Sequence, residues 1–228
     1  MKIKPLILFF ITCSVFAFEC KEQSYIDSLD TKHYYQYWIK NPDQTKLNNY
    51  LKKLHAFRAR NYGKVEGEPE TYRYNKESVK VSLINTKFLN HDIKIHKKIL
   101  KPLRCVEQRI LKNCHNYRPK NISSYRDKKS YKRVISNHRF GIALDFDPLG
   151  DHSHNEGNPC CGPSCKESWR NHPICNGHDP SQNSPYNVSI VSECWVKAFE
   201  AYGFHWLINF RMHDTMHFEY LGDPTFWN

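Results

Sequence analysis

The chain reads as an α+β protein in which a small antiparallel sheet packs against helices and a disulfide-rich insertion interrupts the order. Three observations predict this. Short runs near VKVSLINTKF (79–88), GIALDFD (141–147) and HFEY (217–220) alternate with period two, the spacing of a strand. Stretches within 22–62, at 92–114 and at 188–201 repeat apolar residues every three or four positions, the spacing of a helix. Residues 151–180 hold four cysteines amid Gly, Pro, Asn and His, with almost no apolar periodicity. Helices and strands grouped in this way belong to the α+β class.

Taken in order, residues 1–17, MKIKPLILFFITCSVFA, have two lysines, an apolar run and a Val15-x-Ala17 ending, the pattern of a signal peptide. The run is too short for a membrane span, and none is expected once it is removed. Residues 18–90 are expected to form an N-terminal helical region. Asp43 caps a helix in which Leu47, Tyr50, Leu51 and Leu54 share a face, ending near Gly63. A polar stretch rich in Tyr and Glu follows to about residue 77. The run 79–88 is expected as a strand, and 92–114 as a helix with Pro102 as a point of interruption. From 141 to 147, Ile142, Leu144 and Phe146 take one strand face. Gly141, Ala143, Asp145 and Asp147 take the other, the small residues leaving room beside Asp145. The last helix, 188–201, turns Val191, Cys194, Trp195, Ala198 and Phe199 to the core.

With 228 residues and 14% aromatic residues, the chain is long enough for one substantial core and is not a disordered composition. Its formal charge is +11, or +9 once Lys2 and Lys4 leave with the leader. Such a charge suits polyanionic surfaces, bacterial walls among them, without setting bond specificity. A basic solvated surface with no special partner is the plain alternative. No nucleic-acid partner is expected, because no helix-turn-helix, zinc-finger spacing or RNP-like aromatic strand is present. The sequons at Asn121 and Asn187 matter only if the secreting cell is eukaryotic.

Removing Cys13 with the leader leaves eight cysteines: Cys20, Cys105, Cys114, Cys160, Cys161, Cys165, Cys175 and Cys194. An even count in an exported chain favours disulfides, and the localisation expected is secreted, periplasmic or extracellular. Four of the eight crowd the insertion 151–180, which cannot bury a core of its own and is expected to be held by cross-links. The rival use of Cys160, Cys161, Cys165, Cys175 and nearby histidines is a second zinc site. Because the insertion leaves the sheet directly after Asp147, it is placed to overhang the cleft as a lid.

The chemistry lies in two short constellations. His138 stands seven residues before Asp145, close enough to fold back over that carboxylate. In RMHDTMHFEY (211–220), His217 and Glu219 share one strand face while Phe218 and Tyr220 take the other. Two neutral imidazoles and one carboxylate are the donors zinc uses in hydrolytic sites, with the fourth position left for water. His138, Asp145 and His217 are therefore the candidate ligands and Asp214 the candidate general base. Zinc lowers the pKa of a bound water from about 15.7 toward about 7, so a nearby carboxylate can take its proton at ordinary pH. Glu219 is a candidate acceptor for the far nitrogen of a ligand imidazole, or else an exposed strand Glu.

The pairing of Ser136-x-His138-x-x-Gly141-x-Ala143-x-Asp145 with Asp214-x-x-His217-Phe218-Glu219 resembles the D-alanyl-D-alanine carboxypeptidase and L-alanyl-D-glutamate endopeptidase family of zinc metallopeptidases. That family cleaves peptidoglycan stem peptides and shares its metal site with lysostaphin and the hedgehog signalling domain. The resemblance runs from about residue 101 to 220 apart from the insertion, and Gly203-Phe204-x-Trp206 strengthens it. It departs at Leu207, Ile208, Asn209 and Phe210, where the family often has Gly-Gly-x-Trp. The resemblance implies that residues 91–228 form the peptidase domain, with the zinc site on its sheet. It also implies the same zinc ligands and the same base. An Asp at the base position resembles the endopeptidase branch, which cuts between L-Ala and D-Glu. A substrate-binding Arg of the family falls at Arg126, with Arg118 and Arg133 as rivals, and Ser136 braces the loop or contacts substrate.

Three classes of function follow: a secreted monomeric zinc endopeptidase or D-Ala-D-Ala carboxypeptidase, a hedgehog-like wall- or protein-binding module without turnover, and a disulfide-held structural protein. Asp214 discriminates for the enzyme, since a binding module needs no base there.

Overall fold

The structure, a computed structural model, describes residues 19–26, 29, 43–66, 77–115, 117–127, 136–147, 191–206 and 216–227. The expected leader 1–17, the expected insertion 151–180, Arg133, Asn187, residues 207–210 and Asp214 lie outside them.

Helix α1 (Gln44–Asn61) begins as the sequence predicts, with the Asp43 side chain accepting from the Lys46 amide at 3.0 Å. It buries Leu47, Tyr50 and Leu54 and ends at Tyr62, followed by Gly63 at φ +98°. A β-carbon on Gly63 would lie 2.6 Å from the Glu77 carbonyl oxygen, so both the backbone angle and the close approach require glycine.

The next region departs from expectation twice. Val79–Ser82 is a 3₁₀ turn capped by Ser78, and only Leu83–Phe88 (β1) is strand. Residues 92–96, expected as helix, instead belong to β2 (His91–His96), which pairs antiparallel with β1. The reason is visible in HDIKIH: Ile93 and Ile95 turn inward while Asp92 and Lys94 face water, a period of two that a helical reading of the long apolar stretch overrides. Leu89 and Asn90, both at positive φ, supply the two-residue turn. After a 3₁₀ turn, α2 spans Leu100–Asn113. Pro102 sits in its first turn, where the missing amide removes no intrahelical bond, so it helps start the helix and does not interrupt it.

A four-stranded antiparallel sheet carries the rest in the order β3 (Ile122–Ser123), β4 (Ala143–Phe146), β6 (His217–Tyr220), β5 (Phe204–Trp206). Helix α3 (Glu193–Glu200) is shorter than the 188–201 expected; Val191 and Ser192 precede it, and 188–190 are outside the described residues. Trp195 and Phe199 of α3 pack edge-on against Phe146, and Phe199 also meets Phe204 and Phe218. This apolar face of the sheet is continuous with Tyr50 and Leu54 of α1, Ile93 and Ile95 of β2 and Val106 and Ile110 of α2. Period two then sends Asp145, His217, Glu219 and His205 to the opposite face. A slip of one residue would exchange the faces, so the apolar core also sets the site's register.

Two disulfides staple the layers, Cys20 to Cys105 and Cys114 to Cys194. Closing separations of 85 and 80 residues narrows the unfolded ensemble, typically worth about 2–4 kcal/mol each. They occupy four of the eight cysteines expected in the exported chain. If all eight pair, Cys160, Cys161, Cys165 and Cys175 must pair among themselves, in one of three ways. Among the described residues no helix is long and apolar enough to cross a membrane.

His96 closes β2 and is 1% exposed. Its Nδ1 accepts from the Lys98 amide at 3.1 Å, and its ring meets Tyr62 edge-on. Burial, reinforced by the charge of Lys98, lowers its pKa to about 4. Between about pH 6.5 and about pH 4 the unfolded chain therefore binds a proton that the folded chain refuses, and stability rises with pH. The contribution is complete above about pH 6.5 and is lost as pH falls toward about 4, on the order of 3 kcal/mol. His96→Asn keeps an acceptor for the Lys98 amide and should reduce the slope of unfolding free energy against pH by about one proton in this window. Urea unfolding at several pH values on both proteins, under the same metal conditions, checks it; equal slopes would assign the acid sensitivity elsewhere.

Candidate metal centre

The 3₁₀ turn Asn137–Phe140 opens the first motif. Ser136 caps it, its hydroxyl accepting from the His138 amide at 3.3 Å. Gly141 ends the turn at φ +67°. Sequence reasoning placed Gly141 on the site face to leave room beside Asp145. Its actual neighbours are different: a β-carbon there would lie 2.6 Å from Leu83 Cδ2 and 2.7 Å from the His96 amide nitrogen. Glycine is thus required by the reversal of the turn and the approach of β2, whose His96 amide bonds the Gly141 carbonyl.

The turn carries His138 over β4, and the β4–β6 register sets Asp145 opposite His217. His138 Nε2 lies 3.1 Å from Asp145 Oδ1 and 3.2 Å from His217 Nδ1, while His217 Nδ1 lies 2.8 Å from the same Asp145 oxygen. All three residues are buried, and one potential ligand atom from each falls within 4.8 Å of the others.

The outer nitrogens define the tautomers. His138 Nδ1 faces the Ser124 carbonyl at 2.5 Å and His217 Nε2 faces Glu219 Oε2 at 3.3 Å. Both partners only accept, so each outer nitrogen carries the proton and donates it. The inner nitrogens then present lone pairs, and Asp145 Oδ1 presents a third. One proton among them would satisfy a single pair; a cation draws all three. The donor set, two imidazoles and a carboxylate, is one zinc accepts, so the residues fit the ion.

The charge states agree with this. Burial pushes the His138 imidazole down, keeping it neutral. Burial opposes ionisation of Asp145, but the attraction of a proton held on His138 and then His217 keeps the carboxyl well below the usual carboxylate range, so a proton shared in the triad lies on the imidazole side and Asp145 stays ionised. Glu219 is likewise opposed by burial and lowered on balance by His217, His205 and Asn137. Neutral imidazoles and ionised carboxylates are the forms that bind metal. Glu219 is 5% exposed, which excludes the exposed strand Glu as its reading.

Arg126 stands at the rim, 40% exposed at its side chain, and donates to Asp145 Oδ2 at 2.9 Å. It thereby occupies the carboxylate oxygen that faces away from the imidazoles. Arg118, its rival, donates to the carbonyls of Cys114 and Tyr117 and belongs to that loop. Asp147, expected on the site face, leaves the strand at φ +48°. Its carboxylate accepts from the Lys120 and Asn121 amides and the Tyr117 hydroxyl, so it ties down the 117–121 loop where the insertion departs.

Four contributors escaped the sequence reading. The Ser124 carbonyl is backbone and carries no residue signal. Asn137, beside the motif histidine, donates to Glu219 Oε2 at 2.6 Å. His205 pairs with Glu219 across β5 and β6. Arg58 of α1, 1% exposed, donates to Asn137 Oδ1 at 3.1 Å. The last did leave a trace: it stands four residues beyond Leu54, a cation on the apolar stripe of a helix.

Comparison with curated proteins and with solved structures found no match to the chain. A family model described as D-alanyl-D-alanine carboxypeptidase matches residues 129–220, less than half of the chain. Both motifs and the buried triad fall within this stretch, and from residue 129 to residue 220 the chain is thus similar to the D-alanyl-D-alanine carboxypeptidase family that its motifs resemble.

Proposed function

We propose that the protein is an exported zinc metallopeptidase that hydrolyses peptidoglycan stem peptides, cutting between L-Ala and D-Glu. The observation that carries this reading is the convergence of two imidazole lone pairs and one carboxylate oxygen on a buried point, with every outer ligand atom already engaged. His138, Asp145 and His217 would hold the ion, which when bound would supply Lewis acidity toward the scissile carbonyl and lower the pKa of a water beside it. Ser124 and Glu219 hold the two rings in the ligating tautomer. Asp214, three residues before His217, takes the proton of the water and returns it to the leaving amine. Arg126, partly exposed at the rim, has N–H donors beyond the one given to Asp145 and offers them to a substrate carboxylate.

The two disulfides support an oxidising compartment, in keeping with the leader 1–17. Residues 18–90 form the N-terminal region and 91–228 the peptidase domain.

A second reading, removal of terminal D-Ala, is favoured by the description of the matched family. Incubating the zinc-loaded protein with purified peptidoglycan and reading new termini by mass spectrometry decides between them. New amino termini at D-Glu are expected. Released D-Ala would establish the carboxypeptidase instead, and a folded, zinc-loaded protein that generates no termini would be a binding module.

A further inference from the structure

We propose that helix α1, which lies outside the matched stretch, positions the metal ligands through a buried relay that starts at Arg58. The inference rests on the zinc reading of the triad. Arg58 Nη1 donates to Asn137 Oδ1 at 3.1 Å, Asn137 Nδ2 donates to Glu219 Oε2 at 2.6 Å, and the same Glu219 oxygen lies 3.3 Å from His217 Nε2. Arg58, Asn137, Glu219 and His217 are each at most 6% exposed. The relay therefore runs from α1 to a candidate ligand without crossing a solvated surface.

Polarity gives each link its direction. A side-chain amide can present oxygen or nitrogen to Glu219, and only the nitrogen suits a carboxylate. The guanidinium, which only donates, fixes the amide with its oxygen toward α1 and its nitrogen toward Glu219. A reversed amide would place oxygen against carboxylate and N–H against guanidinium, two repulsive contacts in a dry interior. Held from that side, Glu219 keeps an acceptor in front of His217 Nε2, which keeps the proton on that nitrogen and the lone pair on Nδ1. Asn137 also adjoins His138 in one turn, so the anchor that steadies Glu219 steadies the backbone of a second ligand. Arg58 itself is fixed by stacking over the Phe140 ring at 4.9 Å and by His55 Nδ1 at 3.5 Å. A cation and an anion buried one amide apart compensate each other, as interior charges must. Arg58 is thus a positioning residue, supplied by a part of the chain with no visible counterpart in the motifs.

Zinc affinity, measured by competition with a chromophoric chelator, and the unfolding temperature of the zinc-free proteins test this. Arg58→Met and Asn137→Ser should each weaken zinc binding by about 10- to 100-fold, the usual cost of losing an outer partner of a ligand. In a Glu219→Gln background, adding Arg58→Met should cost no more than about threefold further, because the relay passes through Glu219. Should Arg58→Met fail to fold, Asn137→Ser cuts the relay while leaving Arg58 in place. Unchanged zinc affinity in Asn137→Ser and Arg58→Met with only a lower unfolding temperature, or losses that add fully to that of Glu219→Gln, would overturn the inference. A wild-type protein that binds no zinc would overturn the zinc reading and the relay together.

Discussion

His217→Ala is expected to abolish stoichiometric zinc binding and to reduce stem-peptide cleavage to background. His217 is the hub of the site: Nδ1 lies within 3.2 Å of both other candidate ligand atoms, and Nε2 lies 3.3 Å from Glu219 Oε2. Loss of an outer partner costs about 10- to 100-fold in metal affinity, and loss of the ligand itself should exceed this. Without the ion, several kcal/mol of charge stabilisation disappear, and at about 1.36 kcal/mol per tenfold the rate should fall by about 10³ or more. Metal analysis, zinc competition and cleavage rate on one preparation give the answer. A variant that keeps about one zinc per chain at wild-type affinity would remove His217 from the site.

Asp214→Asn is expected to separate chemistry from metal binding. Asparagine keeps the size of the side chain and removes its basicity, so a general base should be lost while His138, Asp145 and His217 keep their ion. General-base help is typically worth about 10²- to 10⁴-fold, and turnover should fall by at least about a hundredfold with zinc content and melting temperature near those of the wild type. If Asp214 instead caps or braces its loop, stability drops and the rate per folded molecule stays. Near-normal turnover by a zinc-loaded Asn variant would end the mechanism proposed here.

Asp43 and Gly63 bracketed α1 because capping and left-handed backbone are local demands, met within a few residues. HFEY was legible as a strand with His217 and Glu219 on one face, because alternation is also local. HDIKIH was not, since a short period-two run beside a longer apolar stretch resolves only when β1 is there to pair with it. Gly141 and Asp147 were misassigned for the same reason. What surrounds a glycine or a departing strand end depends on Leu83, β2 and the 117–121 loop, all distant in sequence.

By itself the sequence determined the chemical inventory of the protein: two histidines and an aspartate at metal-ligand spacing, nine cysteines and a layered α+β order. Those follow from residue type and near-neighbour period. Only the tertiary structure decided which nitrogen of each imidazole faces the triad, which oxygen of Asp145 faces the imidazoles, and that α1 reaches Glu219 through Arg58 and Asn137. Hydrogen-bond direction between groups 79 and 82 positions apart is set by where packed helices and strands place them, and no local pattern encodes it.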